Sequence, residues 1–216
     1  MAIDEEFRAS GTGVIASYDY IDIAEGTGVI NFNGAQLKTS DGASYALTTG
    51  SFYSNNVYTV GTTFGTAPNF LPTITANFDV SFNLPKEAKG TALINVPTST
   101  DSVVANVTYK ITATIQKLSG GVTTQLGTAT SEDKITAAET EAKMFSFPIV
   151  LTRTHFKKGD ILRAQVIYYG SYATGTPKAR LGHDPKGRDG STEEGTAYFA
   201  SVPSTLNILI PFVINL

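Results

Sequence analysis

Residues 107–116 read VTYKITATIQ, and apolar side chains occupy every second position from Val107 to Ile115. The intervening Thr, Lys and Gln side chains are polar, so the segment has one apolar face and one polar face at a period of two residues. This period is typical of a β-strand with one buried face. The turn residues Ser119-Gly120-Gly121 follow, and they predict a hairpin into a second strand that begins at Val122.

The same period recurs elsewhere in the chain. It is found from Phe78 to Leu84, from Phe145 to Leu151 and from Leu206 to Leu216. Strand segments at a spacing of roughly ten residues, with turn residues between them, indicate a sandwich or a barrel rather than alternating strands and helices. The sequence therefore predicts an all-β fold, an antiparallel β-sandwich of jelly-roll type with about eight to ten strands.

Three segments carry more specific predictions. The regular apolar face of 206–216 predicts a strand that is paired along both edges. Pro148 has no backbone N–H to donate, which predicts an edge strand or a bulge around it. Segment 132–143 contains Ala and Glu but lacks apolar residues at three- and four-residue spacing, so we expect a loop with at most one or two helical turns.

A chain of 216 residues is long enough to bury one large core, and the sequence predicts a single domain over 1–216. The sequence Gly-Thr-Gly-Val-Ile occurs twice, at 11–15 and at 26–30. The simpler interpretation is a pair of similar strand starts. The alternative is that 1–30 form an extended arm or hairpin that docks on a neighbouring subunit.

Composition excludes several kinds of partner. The 16 Lys and Arg residues are outnumbered by 19 Asp and Glu residues and form no basic cluster, so no nucleic-acid partner is predicted. The most apolar stretch, 206–216, is too short to span a bilayer as a helix, and no membrane partner is expected. The acidic segment 1–7 lacks the features of a signal peptide, which predicts synthesis in the cytoplasm.

Sequence signatures of catalysis are also missing. The two Gly-Thr-Gly segments lack the third glycine and the helix of a dinucleotide site, and neither a phosphate-binding loop nor a Gly-x-Ser-x-Gly turn occurs. With no cysteine, thiolate metal sites and cysteine nucleophiles are excluded. Acidic pairs such as Glu193-Glu194 could hydrolyse glycosides, but no Trp is present to stack against a sugar. The sequence predicts no enzymatic activity, no cofactor and no metal.

Ionisable residues are densest in segment 181–190, which contains one of the two histidines of the chain. Their spacing matches no calcium loop, and the nearby cations would repel the ion. Two interpretations remain for this segment: internal salt bridges that order a long loop, or contacts between subunits. The residues concerned are His183, Asp184, Arg188 and Asp189.

Segment 50–72 is the second candidate region, because it is rich in Tyr, Asn, Gly, Thr and Phe without clean alternation. We expect long loops here, with aromatic side chains as anchors in protein contacts. The residues predicted for such an interface are Phe52, Tyr53 and Tyr58, together with the four ionisable residues of 181–190.

Three segments of the C-terminal half carry a resemblance to a known class of protein. They are 154–163 (THFKKGDILR), 181–185 (LGHDP) and 206–212 (LNILIPF). With them, the chain from about Phe78 onwards resembles small jelly-roll structural proteins of tailed viruses, namely capsid decoration and minor capsid proteins. The resemblance implies a homotrimer that binds the major capsid protein or other virion proteins, with the virion as its location after assembly in the host cytoplasm.

These observations together predict a non-enzymatic virion structural protein that binds and stabilises a capsid lattice as an oligomer. The low charge and the missing catalytic signatures favour this interpretation over the others. The alternative is a carbohydrate- or receptor-binding β-sandwich of a tail or spike, with a glycan as partner. A hydrolase is the third hypothesis.

Overall fold

The computed structural model describes residues 27–39, 42–101, 107–136, 140–173, 175–190 and 197–213. These ranges contain thirteen strands and no helix, so the prediction of an all-β fold is confirmed. Within them, no helix is present that could cross a membrane. The strands are β1 (Thr27–Thr39), β2 (Gly42–Thr48), β3 (Tyr58–Thr63), β4 (Gly65–Thr66), β5 (Leu71–Ser81), β6 (Lys86–Asp101), β7 (Val107–Ser119), β8 (Val122–Thr130), β9 (Lys134–Ile135), β10 (Thr140–Phe156), β11 (Ile161–Tyr172), β12 (Lys178–Gly182) and β13 (Asn207–Val213).

The strands form two halves of one sheet. In the first half the order is β10, β6, β13, β1 and β2, and β12 and β3 continue from the C-terminal end of β6. In the second half the order is β5, β11, β7 and β8. A single parallel bridge between Ala46 of β2 and Asp79 of β5 joins the halves. Among the described strands the other pairings are antiparallel, apart from a two-residue contact of β4 with β11.

The two halves face each other across one apolar core. The ring of Tyr109 on β7 lies 6.1 Å from the ring of Phe145 on β10, which belongs to the opposite half. Alternate residues of each strand point inward, as in β11, where Leu162 and Val166 are fully buried. Burial of each such side chain contributes about 1.5–3 kcal/mol relative to exposure. This packing of two layers is the sandwich arrangement that the period-two segments predict.

The outer edges of the two halves also approach each other, at β8 and β10. A Cβ atom on Gly127 of β8 would lie 2.6 Å from the carbonyl oxygen of Val150 on β10. Because that distance is too short for any side chain, the contact between the two edges requires glycine at this position.

Three local predictions are confirmed. The β7–β8 hairpin turns at Gly120 and Gly121, whose φ angles of 55° and 83° lie in the left-handed region that glycine tolerates. Strand β13 pairs with β1 along one edge and with β6 along the other. Pro148 lies on β10, which pairs with β6 alone among the described strands, so β10 is an edge strand in the hydrogen-bonded ladder.

The strand count differs from the predicted eight to ten. The additional strands lie where we expect loops: β3 and β4 within 50–72, β9 within 132–143, and β12 at the start of the loop that contains 181–190. Each has two to six residues, which is too short for a period of two to stand out in the sequence. The predicted arm falls largely on 1–26, outside the described residues, and Thr27–Ile30 belong to β1.

Candidate functional site

The two regions predicted from the sequence lie against each other. The chain between β2 and β3 packs on the chain that follows β12. The backbone N–H of Ser54 donates to Oδ1 of Asp184 at 3.0 Å, and the backbone N–H of His183 donates to the carbonyl of Val57 at 3.0 Å. The aromatic and ionisable candidates are therefore parts of one region.

Asp184 is the centre of the contacts between these loops. Its side chain is fully buried, and Oδ2 accepts hydrogen bonds from Nε of Arg188 at 2.8 Å and from the backbone N–H of Arg188 at 3.2 Å. Nη2 of Arg188 donates to the carbonyl of Ser54 at 2.9 Å. Burial raises the pKa of Asp184, but the hydrogen bonds from Arg188 and Ser54 outweigh it and hold the pKa below its ordinary value. The ion pair between Asp184 and Arg188 is an internal salt bridge, which is one of the two interpretations that the sequence left open for segment 181–190.

His183 is fully buried beside Asp184, with a hydroxyl near each ring nitrogen. Oγ of Ser54 lies 3.3 Å from Nδ1, and Oγ1 of Thr59 lies 3.0 Å from Nε2. The rings of Tyr45 and Phe78 contact the imidazole at centroid distances of 5.6 and 6.3 Å. Burial lowers the pKa of His183 to about 4, so the side chain is neutral at neutral pH.

Acid is expected to destabilise the protein through His183. In the unfolded chain the imidazole takes up a proton near its ordinary pKa of 6.5, whereas in the folded protein it does so only near 4. Between these values the unfolded state binds more protons, and the folded state loses about 3 kcal/mol as the pH falls from 7 to 4. Urea unfolding near pH 7 and near pH 4 measures this loss. His183→Gln should be less stable at pH 7 yet lose less on acidification; equal acid-induced losses in both proteins would contradict this assignment.

Tyr53 forms the exposed part of this region, with 69% of its surface accessible. The Lys186 ammonium and the Arg188 guanidinium lie 5.8 and 5.2 Å from the centroid of its ring. Phe52 beside it is half-buried, and Asp189 is exposed. These five side chains present a surface with two aromatic rings and both signs of charge.

Tyr58 lies on the inner side and is buried. Its ring contacts Tyr198 at a centroid distance of 5.6 Å, and the buried guanidinium of Arg180 lies 3.4 Å from the centroid of the Tyr198 ring. This cation–aromatic cluster fixes β12 and the segment that precedes β13 against β3.

The seven residues predicted for an interface therefore have different environments. His183, Asp184 and Tyr58 are buried, so their side chains do not reach the surface, and their part is to hold the loops together. A contact with a partner stays a prediction for Tyr53, Arg188, Asp189 and Phe52.

Glu193 and Glu194, the carboxylates considered for glycoside hydrolysis, lie outside the described residues.

A cleft that the sequence analysis did not predict lies between the two halves of the sheet. Its volume is about 440 Å³. It opens beyond the Ala46–Asp79 bridge, where the ends of β2 and β5 have no further bridged pair. The residues that line it are Ile30, Phe32, Leu47, Thr48, Thr49, Val80, Ser81, Phe82, Asn83, Leu84 and Lys86.

The floor of the cleft is apolar and its rim is polar. Ile30, Phe32, Leu47 and Phe82 are buried, whereas Thr49, Ser81 and Asn83 at the rim are exposed. Leu84 is also at the rim, and 72% of its surface is accessible. The leucine followed by a proline at Leu84-Pro85, directly after β5, is the signal in the sequence that could have pointed to this site.

No protein-family model and no curated protein sequence matches this chain. Solved structures of similar fold include an aminopeptidase from a marine sediment Thaumarchaeota archaeon, with a TM-score of 0.51 at 10% identity over 84% of this chain and 37% of the aminopeptidase. A CocE/NonD family hydrolase from Staphylococcus aureus matches with a TM-score of 0.47 at 11% identity, over 84% of this chain and 36% of the hydrolase. The VP2 subviral particle of infectious bursal disease virus matches with a TM-score of 0.28 at 9% identity, over 88% of this chain and 41% of VP2.

This chain spans little more than a third of the hydrolases that it matches, and at these identities the likeness is one of fold. It corrects the functional prediction, because the aminopeptidase, whose TM-score exceeds 0.5, is a hydrolytic enzyme. The prediction of a non-enzymatic virion structural protein is therefore wrong, and so is the exclusion of an enzyme. The resemblance to tailed-virus proteins, the trimer, the capsid and glycan partners and the location in a virion stay predictions from the sequence alone.

Proposed function

We propose that this chain is the β-sandwich unit of a hydrolase and that its cleft binds the apolar part of the substrate. The observation that carries this proposal is the cleft itself, whose buried apolar floor and polar rim are typical of a small-molecule site. Its volume of about 440 Å³ lies in the usual range for such sites. The class of enzyme is supported by the aminopeptidase, whose fold covers 84% of this chain.

The floor of the cleft is preformed, which suits substrate binding. The ring of Phe82 packs between the rings of Phe156 and Phe212, at centroid distances of 5.0 and 5.7 Å. A side chain held in this way loses little conformational entropy when a ligand binds. A substrate whose apolar group is fixed here presents its scissile bond at a defined position, and such positioning is a major source of rate enhancement.

Neither His183 nor His155 has the environment of a general base, so the proposal gives neither histidine a catalytic role. A general base must reach its substrate and have a pKa near the working pH. His183 is fully buried with a pKa lowered to about 4, and Oγ of its neighbour Ser54 accepts the backbone N–H of Gln36 at 2.7 Å. His155 is exposed, but within the described ranges no Ser or Thr hydroxyl is hydrogen-bonded to its ring.

Val80→Trp is expected to remove the binding of a neutral apolar ester such as ethyl hexanoate. Val80 is half-buried on the wall of the cleft, so an indole at this position fills the space that the ligand needs. Calorimetric titration should show one site on the unmodified chain and affinity weaker by roughly ten-fold or more in the variant, equivalent to about 1.4 kcal/mol. Circular dichroism establishes that the variant is folded.

The matched control is Val60→Trp on β3, at a side chain that is 39% exposed and outside the cleft. This variant should bind the ester as the unmodified chain does. Absence of binding, or equal binding by Val80→Trp and the unmodified chain, would contradict the proposed site. Hydrolysis of the ester by this chain, with loss of turnover in His183→Gln, would contradict the conclusion that His183 has no catalytic role.

A further inference from the structure

The charge at the rim of the cleft narrows the class of molecule that it binds. We propose that the cleft binds an apolar chain that ends in a carboxylate, with the Lys86 ammonium as its counter-ion. This inference rests on the proposed function, because it names the chemistry of the group held in the same cleft.

Lys86 brings a positive charge to the cleft, and Glu87, its acidic neighbour in the sequence, does not neutralise it. Its Nζ lies 5.7 Å from the centroid of the Phe212 ring, at the edge of the apolar core. Glu87, the next residue in the chain, pairs with Arg153 instead. Within the part of the chain that the structure describes, no carboxylate oxygen lies within 4 Å of Nζ of Lys86. A bound anion would therefore have no internal competitor for this cation among those residues.

The other polar groups of the rim suit an anion as well. None of the described residues that line the cleft is acidic. Thr48 uses Oγ1 to accept the backbone N–H of Gly50 at 3.1 Å, which leaves its hydroxyl proton available to donate. Thr49, Ser81 and Asn83 add exposed hydroxyl and amide donors. A carboxylate accepts hydrogen bonds and cannot donate, so a rim with several donors and one ammonium is complementary to it.

The apolar floor of the cleft determines the chemistry of the part of the ligand that lies away from the carboxylate. Ile30, Phe32, Leu47 and Phe82 offer no charged group and are buried, so the part of the ligand that enters the cleft is hydrocarbon, aliphatic or aromatic. Placing the charged end at the rim keeps the carboxylate near water and near Lys86, and the cost of burying a charge is avoided.

Hexanoate and hexanamide test this inference, because they share a carbon chain and differ in charge. Calorimetric titration of the unmodified chain should give roughly five-fold tighter binding of hexanoate, the range expected of a partly exposed ion pair. Lys86→Gln should abolish this preference, because it weakens the binding of hexanoate more than that of hexanamide. Added salt should weaken the binding of hexanoate more than that of hexanamide.

Lys89→Gln is the matched control, since Lys89 is exposed on the same strand and does not line the cleft. It should retain the preference for hexanoate. The inference would be overturned if the unmodified chain bound the two ligands with equal affinity. It would also be overturned if Lys86→Gln and Lys89→Gln had equal effects. In either case the proposed function stands if ethyl hexanoate still binds. If neither hexanoate, hexanamide nor ethyl hexanoate binds, the inference and the proposed function fail together.

Discussion

A chain that ends at Thr205, and therefore lacks β13, is expected not to fold. Strand β13 lies between β1 and β6 and pairs with both, so its removal leaves each of these two long strands with an unpaired edge in the middle of the sheet. Ile208 and Ile210 are fully buried, and Phe212 is 5% exposed. At about 1.5–3 kcal/mol for each buried side chain, the loss is comparable with the total stability of a typical domain, about 5–15 kcal/mol.

Circular dichroism and thermal melting of the truncated chain measure this effect. Single variants keep the prediction quantitative: Ile208→Ala and Ile210→Ala should each lower the free energy of unfolding by about 2–5 kcal/mol. Leu209→Ala is the control, because its side chain is half-buried on the opposite face of β13, and its loss should be smaller. A truncated chain with an unchanged melting temperature would contradict the central position of β13.

Asp184→Ala is expected to cause the largest loss of stability among substitutions in the loops, about 3 kcal/mol. The substitution removes the acceptor for three hydrogen bonds, from the N–H of Ser54, the N–H of Arg188 and Nε of Arg188. The N–H of Ser54 is then buried without this acceptor, and an unsatisfied buried group costs about 1–3 kcal/mol. The half-buried guanidinium of Arg188 also loses its counter-ion.

Urea unfolding near pH 7 measures the free energy difference for Asp184→Ala. Glu132→Ala provides a control, because Glu132 forms an exposed ion pair with Lys134 at 3.6 Å and its removal should cost less than about 1 kcal/mol. Similar small losses in the two variants would show that Asp184 does not hold the loops together.

The strands with alternating side chains were predictable because a period of two is a local property of the sequence. Val107 to Ile115 and Phe145 to Leu151 show this period, and both segments form strands with the alternate residues buried. The turn at Gly120 and Gly121 was predictable for the same reason. The short strands β3 and β12 were not, since they exist through pairing with each other and with β6, which is distant in the sequence.

The candidate site was predictable only in part. The sequence indicated that the aromatic residues near Tyr53 and the ionisable residues near Asp184 matter, but the contact between them joins Ser54 and Asp184 across 130 positions. The cleft was not predicted because its lining residues come from three separated segments of the chain. Its position also depends on where the two halves of the sheet separate. The functional prediction failed because all-β folds of low charge serve both capsids and enzymes, so fold and composition alone do not select a function.

An NMR titration of the full chain with ethyl hexanoate locates the ligand directly. If the cleft is the substrate site, the signals of Ile30, Leu47 and Val80 shift in a saturable manner, and those of Tyr53 and Lys186, which do not line the cleft, do not. Shifts confined to Tyr53 and its neighbours, or no saturable shift anywhere, would contradict the assignment of the cleft as the substrate-binding site of a hydrolase.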